Sequence, residues 1–122
     1  MVAAVIAANR AFYAAFNARD ITAMADAWSE MDDITCVHPG WDVLSGRTLI
    51  LESYAAIFGN PSQPKIVAGG ETVALAGNAA VVVCHELVGG SPIVATNVYR
   101  LENDGWKAVH HHAGQVVARF EG

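Results

Sequence analysis

The chain is expected to fold as α+β, with its helices gathered on one face of an antiparallel sheet. Three observations lead there. Apolar residues recur at helical spacing only in the first half of the chain, whereas from Lys65 onward the pattern changes to strand-like alternation. The alternating segments are separated by short turns, Gly77-Asn78, Gly89-Gly90 and Asp104-Gly105, so consecutive strands should lie side by side. Helices first and a strand meander after them is the order of an α+β layer structure. The 122 residues suit one domain, 1–122, with its own core, and contain no internal repeat, linker or low-complexity segment.

The first helix is expected from about Val2 to Ala18, with Val5, Phe12 and Phe16 on its apolar stripe and Ala8 and Ala15 filling it. Asn17-Ala18-Arg19-Asp20 breaks it, and Asp20 is placed to cap a second helix from Ile21 to about Met31, which buries Met24 and Trp28. A short strand, Ile34 to His38, runs into the turn Pro39-Gly40-Trp41. Ser45-Gly46 opens a third helix through Phe58, with Ile50, Tyr54, Ile57 and Phe58 at core spacing, and Gly59-Asn60-Pro61 ends it. Strands follow at Lys65 to Leu75, Ala79 to Val88, Pro92 to Glu102 and Trp106 to Ala118.

The last strand carries the triplet His110-His111-His112. Strict alternation puts Trp106, Ala108, His110 and His112 on one side and Lys107, Val109, His111 and Ala113 on the other, so the three imidazoles cannot act as one cluster. One face is expected to line a pocket and the other to meet solvent or a second subunit. Val81, Val83 and Leu87 on one side and Val82 and Val88 on the other make both strand faces apolar. Together with only 16% charged residues against 53% apolar ones, this points to a homodimer through the sheet face the helices leave bare.

Composition excludes several classes. A net charge of −5, with seven scattered basic residues, argues against nucleic acid or an anionic membrane surface as partner. Cys36 and Cys84 are too few for a disulfide scaffold and lack metal-ligand spacing. The apolar opening Met1 to Ala8 has no basic flank and runs on into the first helix, so it does not read as a signal peptide. No apolar run is long enough to span a bilayer, which leaves the cytoplasm as the expected location. There is no glycine-rich phosphate loop, Gly-x-Ser-x-Gly elbow or zinc signature, so no cofactor or metal is expected.

Three stretches then coincide in order and spacing: Phe12 with Asn17-Ala18-Arg19-Asp20, Asp32-Asp33-Ile34-Thr35-Cys36-Val37-His38-Pro39, and Gly105-Trp106 ahead of the histidines. Over nearly its whole length the chain resembles the superfamily of nuclear transport factor 2, ketosteroid isomerase and the SnoaL-like polyketide cyclases. Its Trp106-to-His112 ending is most similar to the SnoaL-like branch, and also to the hub domain of a calmodulin-dependent kinase. The resemblance implies a cone of curved antiparallel sheet closed by three N-terminal helices, an internal apolar pocket and a homodimer.

Carried over by position, the isomerase's general base before a proline falls on His38, its acidic oxyanion donor on Asn97, and its catalytic tyrosine on Phe12. Phenylalanine cannot donate a hydrogen bond, so half of an oxyanion hole is expected to be missing. Alignment to the kinase hub puts Glu86, Asn97 and Ala113 where that domain has pocket arginines, so an arginine-lined acid pocket is not implied.

His38 is the candidate base, since a neutral imidazole suits proton transfer near pH 7; the plainer alternative is a histidine bonded to a neighbour at a strand end. Asn97 would be the opposite orienting group, facing His38 across one cavity with His111 on its wall. His111 is a candidate ligand contact or, alternatively, a satisfied core histidine beneath Trp41 or Trp106. Cys84 with Glu86, and Asn97 with Tyr99, share faces on neighbouring strands; Glu86 is either a solvated acid or a pocket acid, and Cys84 reads more as a small hydrophobe than a nucleophile. Trp41 and Tyr54 are placed at the pocket mouth, and Phe12 on its wall. A metal grip by His110 and His112 with His85 would need a cross-strand coincidence.

Three function classes compete. One is a cofactor-free isomerase, cyclase or lyase (dehydratase) acting next to a carbonyl with His38 as base; the second is a non-catalytic binder of a small cyclic molecule; the third is a dimerising association domain.

Overall fold

The computed structural model describes residues 1–122. Its elements run α1 (Val2–Asn17), α2 (Ile21–Ala27), β1 (Thr35–Val37), β2 (Leu44–Ser45), α3 (Arg47–Gly59), β3 (Ile66–Ala76), β4 (Ala79–Val88), β5 (Ser91–Glu102) and β6 (Gly105–Gln115). The strands form one curved, unclosed sheet in the order β2-β1-β6-β5-β4-β3, and the three helices lie on its inner face. Pairing is antiparallel except where β1 lies parallel to β6, so the sheet is mixed rather than purely antiparallel as the meander suggests. No helix is long and apolar enough to cross a membrane.

Asp20 caps α2 as its position predicts, its carboxylate accepting from the Ala23 N–H at 3.0 Å. The helix stops at Ala27, four residues short of the expected Met31, because the chain turns extended at Trp28, whose backbone bridges Ala108 in parallel and whose fully buried ring packs with Phe12 and Tyr54. Arg47 secures this ending: its guanidinium donates to the carbonyls of Ala25, Trp28 and Ser29 at 3.0, 3.2 and 2.7 Å. Strand β2 has no sequence signal; it is a two-residue pairing with β1 just before α3.

The long hairpins keep the register their glycine turns imply except at two shifts, one in β3 between Gly69 and Thr72 and one in β6 that changes which histidine faces inward. Val98 pairs with His110 but Tyr99 pairs with Ala108, so Val109 is an extra residue in β6. A one-residue bulge reverses the facing of everything beyond it. The expected grouping of Trp106, Ala108, His110 and His112 on one side is therefore overturned: Trp106, Ala108, His111 and Ala113 are buried together, and His110 and His112 lie on the other face. The pairing of one histidine inward and two outward survives, but by a different parity.

The inner face is built from Ala80, Val82, Cys84 and Glu86 of β4, and Ile93, Ala95, Asn97 and Tyr99 of β5, together with the buried residues of β6. Val5, Asn9, Phe12 and Phe16 of α1, with Met24, Trp28, Ile50 and Tyr54, close over it. The outer face carries Val67, Val83, Leu87 and Val94, all exposed, and no helix covers it. Asn17 ties α1 to the sheet by a reciprocal pair: its Nδ2 donates to the Ile66 carbonyl and its Oδ1 accepts from the Ile66 N–H, both at 2.8 Å. Replacing Asn17 with Ala leaves both backbone groups part-buried without partners, so chemical denaturation should show a loss of about 2 kcal/mol with an unchanged slope.

Candidate functional site

The helices and the sheet do not fill the space between them. A cavity of about 440 Å³ remains, opening past Trp41, Asn60 and Gln63. Its wall is mostly apolar, with Phe12, Phe16, Tyr54, Ile57, Ile66 and Ile93, and its titratable lining groups besides Tyr54 are His38, Glu86 and His111. No lysine or arginine lines it.

His38 sits where β1 ends and the chain turns at Pro39, a turn closed by the Trp41 N–H donating to the His38 carbonyl at 2.9 Å. Its ring lies edge-on to Trp41 and Tyr54, with centroids 4.8 and 4.9 Å away. Ser53 Oγ donates its only proton to the Ile50 carbonyl at 2.6 Å, so its 2.9 Å contact with His38 Nε2 must be a bond donated by the imidazole. His38 is then the Nε2–H tautomer, and its Nδ1 lone pair faces no stronger partner than the Cys36 thiol at 3.9 Å. Burial pulls its pKa down to about 4.

His111 lies deeper, its ring against Phe12 with centroids 5.2 Å apart and 6.3 Å from His38. Its Nδ1 meets Asn97 Oδ1 at 2.5 Å. Burial first, and His38 second, depress its pKa to about 3. Glu86 accepts a short hydrogen bond from the Tyr13 hydroxyl on Oε2, and burial raises its pKa against the smaller opposing pull of that bond. Burial and Glu86 in turn keep Tyr13 a phenol. The Cys36 thiol is pushed up to about 12 by burial and the Cys84 thiol is raised as well, so neither is an activated nucleophile.

Among the candidates, His38, Phe12, Trp41, Tyr54, Glu86 and His111 line the cavity, with Trp41 half-exposed at the mouth and Tyr54 wholly enclosed. Asn97, Cys84 and Tyr99 do not line it. The expected opposition of His38 and Asn97 across the cavity is corrected accordingly: Asn97 stands behind His111, and its Nδ2 donates to Asn9 Oδ1 at 2.9 Å and Tyr13 Oη at 3.1 Å. Nor does His111 pack beneath Trp41 or Trp106 as a core histidine; Phe12 is its neighbour. His110 and His112 face outward, their centroids 6.1 Å apart, with His110 Nδ1 bonded to Thr35 Oγ1 at 2.6 Å. No three His, Cys, Asp or Glu side chains converge in a way that could hold a metal.

Three participants escaped the sequence reading. Tyr13, one residue past Phe12, is a buried phenol that donates to Glu86 without lining the cavity. Asn9 is fully buried within the stripe of Val5, Phe12 and Phe16, and a lone amide at that spacing was the available signal. Ser53, one position before Tyr54 on α3, gave none.

The profile of the SnoaL-like domain family matches residues 5–118, and the chain belongs to that family. Among solved structures it is similar to a provisionally named dehydratase of the NTF2-like family from Streptomyces avermitilis, at 35% identity and a TM-score of 0.90 over 96% of this chain and 97% of that one. It is also similar to a provisionally named calcium/calmodulin-dependent protein kinase type II association domain from Thiobacillus denitrificans, at 32% identity and a TM-score of 0.83 over 90% and 93% of the two chains. A provisionally named ketosteroid isomerase from Shewanella frigidimarina shares the fold, at 18% identity and a TM-score of 0.74 over 87% and 90%. The F-box protein SKIP8 of Arabidopsis thaliana is 31% identical over 119 residues, which is 93% of this chain but 50% of that protein, so the chain spans half the length of this curated relative.

The two depressed histidines fix a pH dependence of stability. Each binds its proton more weakly folded than at the ordinary 6.5, so only the unfolded chain takes up protons as pH falls through that value, and stability drops. From pH 7 to 5 each should lose about 2 kcal/mol. Glu86 is shifted the other way and favours the folded state on acidification, offsetting part of the loss. Denaturation curves at pH 7 and 5 should therefore show a steeper acid loss in Glu86→Gln than in the wild type.

Proposed function

We propose that the cavity binds a small, uncharged cyclic molecule bearing a carbonyl group and moves a proton next to that carbonyl without a cofactor, as an isomerase, cyclase or dehydratase does. The observation that carries this reading is the coincidence of His38, His111 and Glu86 in one apolar cavity without a lysine or arginine. At neutral pH both imidazoles are uncharged, so a lone pair is ready to accept a proton, though a depressed pKa weakens its pull. His38 Nδ1 is the base. Both Nδ2 hydrogens of Asn97 are already given to protein groups, so Asn97 does not steady the carbonyl oxygen. Glu86, whose pKa burial raises and which Tyr13 holds in place, is the group left to do so when it carries its proton. The likeness to the Streptomyces avermitilis protein supports chemistry of the dehydratase kind.

A second reading has its own support in the bare outer sheet face, with Val67, Val83, Leu87 and Val94 exposed, and in the likeness to an association domain. Two copies pack through that face, as a homodimer that operates in the cytoplasm. Light scattering at micromolar concentration should give twice the 12.9 kDa of the chain; a monomer there would refute the dimer.

For the chemistry, cyclic ketones, lactones and their carboxylic acid counterparts should be screened by thermal shift, with the neutral compounds raising the melting temperature and the acids not doing so. In deuterated water a binding ketone should exchange its α-hydrogens faster with protein present. His38→Phe should slow that exchange by roughly two to four orders of magnitude while leaving binding in place. Binding with no exchange above the buffer rate would leave a non-catalytic ligand carrier.

A further inference from the structure

The hydrogen bonds behind the cavity wall run in one direction. Tyr99 Oη donates to Asn9 Oδ1 at 2.8 Å, and Asn97 Nδ2 donates to the same oxygen. Asn9, Asn97 and Tyr99 are each at most 1% exposed, so no solvent is available to satisfy them any other way. Asn9 Oδ1 receives two protons, which fixes the amide of Asn97 with Nδ2 toward Asn9 and Tyr13 and Oδ1 toward His111. A carbonyl oxygen only accepts, so His111 carries its proton on Nδ1.

The consequence lies at the other end of the ring. His111 Nε2 has no protein partner, and Trp28 Nε1 is the enclosed side-chain nitrogen or oxygen that lacks one, so the Nε2 lone pair opens onto the cavity that His111 lines. His38 differs in which nitrogen is free: its Nε2 is spent on Ser53, and its Nδ1, with only the Cys36 thiol at 3.9 Å, is the base proposed above. The cavity thus holds a second uncharged acceptor besides His38 Nδ1, and leaving it unmatched by a bound ligand costs affinity.

We infer that Asn97, oriented by Asn9, is a positioning residue that locks His111 in its Nδ1–H form, and that His111 Nε2 selects ligands carrying a hydroxyl (an alcohol, phenol or enol) to donate to it. This rests on the ligand-binding cavity proposed above and narrows its ligand from any carbonyl compound to a hydroxylated one. The hydroxyl goes to His111 and the carbonyl to Glu86. Asn97 touches no ligand; it acts through the imidazole.

Two measurements test this separately. Long-range proton–nitrogen spectra of the histidine-labelled protein at pH 7 should show His111 protonated at Nδ1. Asn97→Asp keeps an acceptor at that point and should keep the tautomer, whereas Asn97→Leu should release it. A wild-type spectrum with the proton on Nε2, or a tautomer unmoved in Asn97→Leu, would overturn the lock, and the wild-type spectrum decides even if the leucine variant does not fold. For the selectivity, 2-naphthol should bind about tenfold more tightly than 2-methoxynaphthalene, which lacks the donor, and His111→Phe should erase the difference. Equal affinity of the two compounds for the wild type would refute the acceptor while leaving the cavity as a ligand site. Failure of both to bind, together with every compound of the ketone and lactone screen, would instead defeat the cavity reading.

Discussion

The side chain of Asn97 donates to Asn9 and Tyr13 and accepts from His111 Nδ1, and Asn97 and Asn9 are wholly buried behind the cavity wall. An unpaired polar group in such a place costs more than a paired one returns, so the set is stable only when every member finds its partner within it. That requirement couples elements far apart in sequence: α1 contributes Asn9 and Tyr13, β4 Glu86, β5 Asn97 and Tyr99, and β6 His111. The helix cannot slide along the sheet without breaking several bonds at once. The apolar contacts around it, Val5, Phe12 and Phe16 against the strands, give the fold most of its driving force, but they are tolerant of small shifts. The polar set supplies the exact placement of α1.

The same economy governs charge. His38 and His111 are held uncharged by burial, and Glu86 is biased toward its neutral acid by the same cause. No ion pair is available in the cavity to compensate a charge, and the fixed ion pairs of the chain lie elsewhere, Arg100 with Asp33 and Glu102 at the far end of β5. A carboxylate ligand would arrive in a low-dielectric space with nothing of opposite sign to meet it. Shape and hydrogen-bond pattern are left to choose the occupant.

Much of the fold was legible in the sequence because its signals are local. Asp20 as a cap, Gly59-Asn60 as a helix end and the three glycine turns each act within a few residues, and they set the elements and the order of the last four strands. What escaped depends on contacts across the chain. Trp28 leaves α2 early because Ala108 and Arg47, remote in sequence, offer it a better place. β2 exists only because β1 lies beside it. At the site, the imidazoles and Glu86 could be singled out by residue type and Asn9 only by its place in an apolar stripe, while Tyr13 and Ser53 could not, since a buried phenol or hydroxyl looks no different in sequence from an exposed one. Phe12 and Tyr13, one position and about a hundred degrees apart around α1, part ways: Phe12 lines the cavity and Tyr13 bonds Glu86.

The extra residue at Val109 has a meaning for how relatives of this chain should be read. It acts as a phase slip in an otherwise two-beat pattern: upstream of it even-numbered residues of β6 face the helices, and downstream odd-numbered ones do. A related sequence that lacked this insertion would bring a different member of its own histidine run to the interior while looking nearly identical on the page. Superposing backbones, or allowing a one-residue gap at this point, is therefore a precondition for transferring any role from His111 to a homologous position. Without it, the residue copied would be one that faces outward.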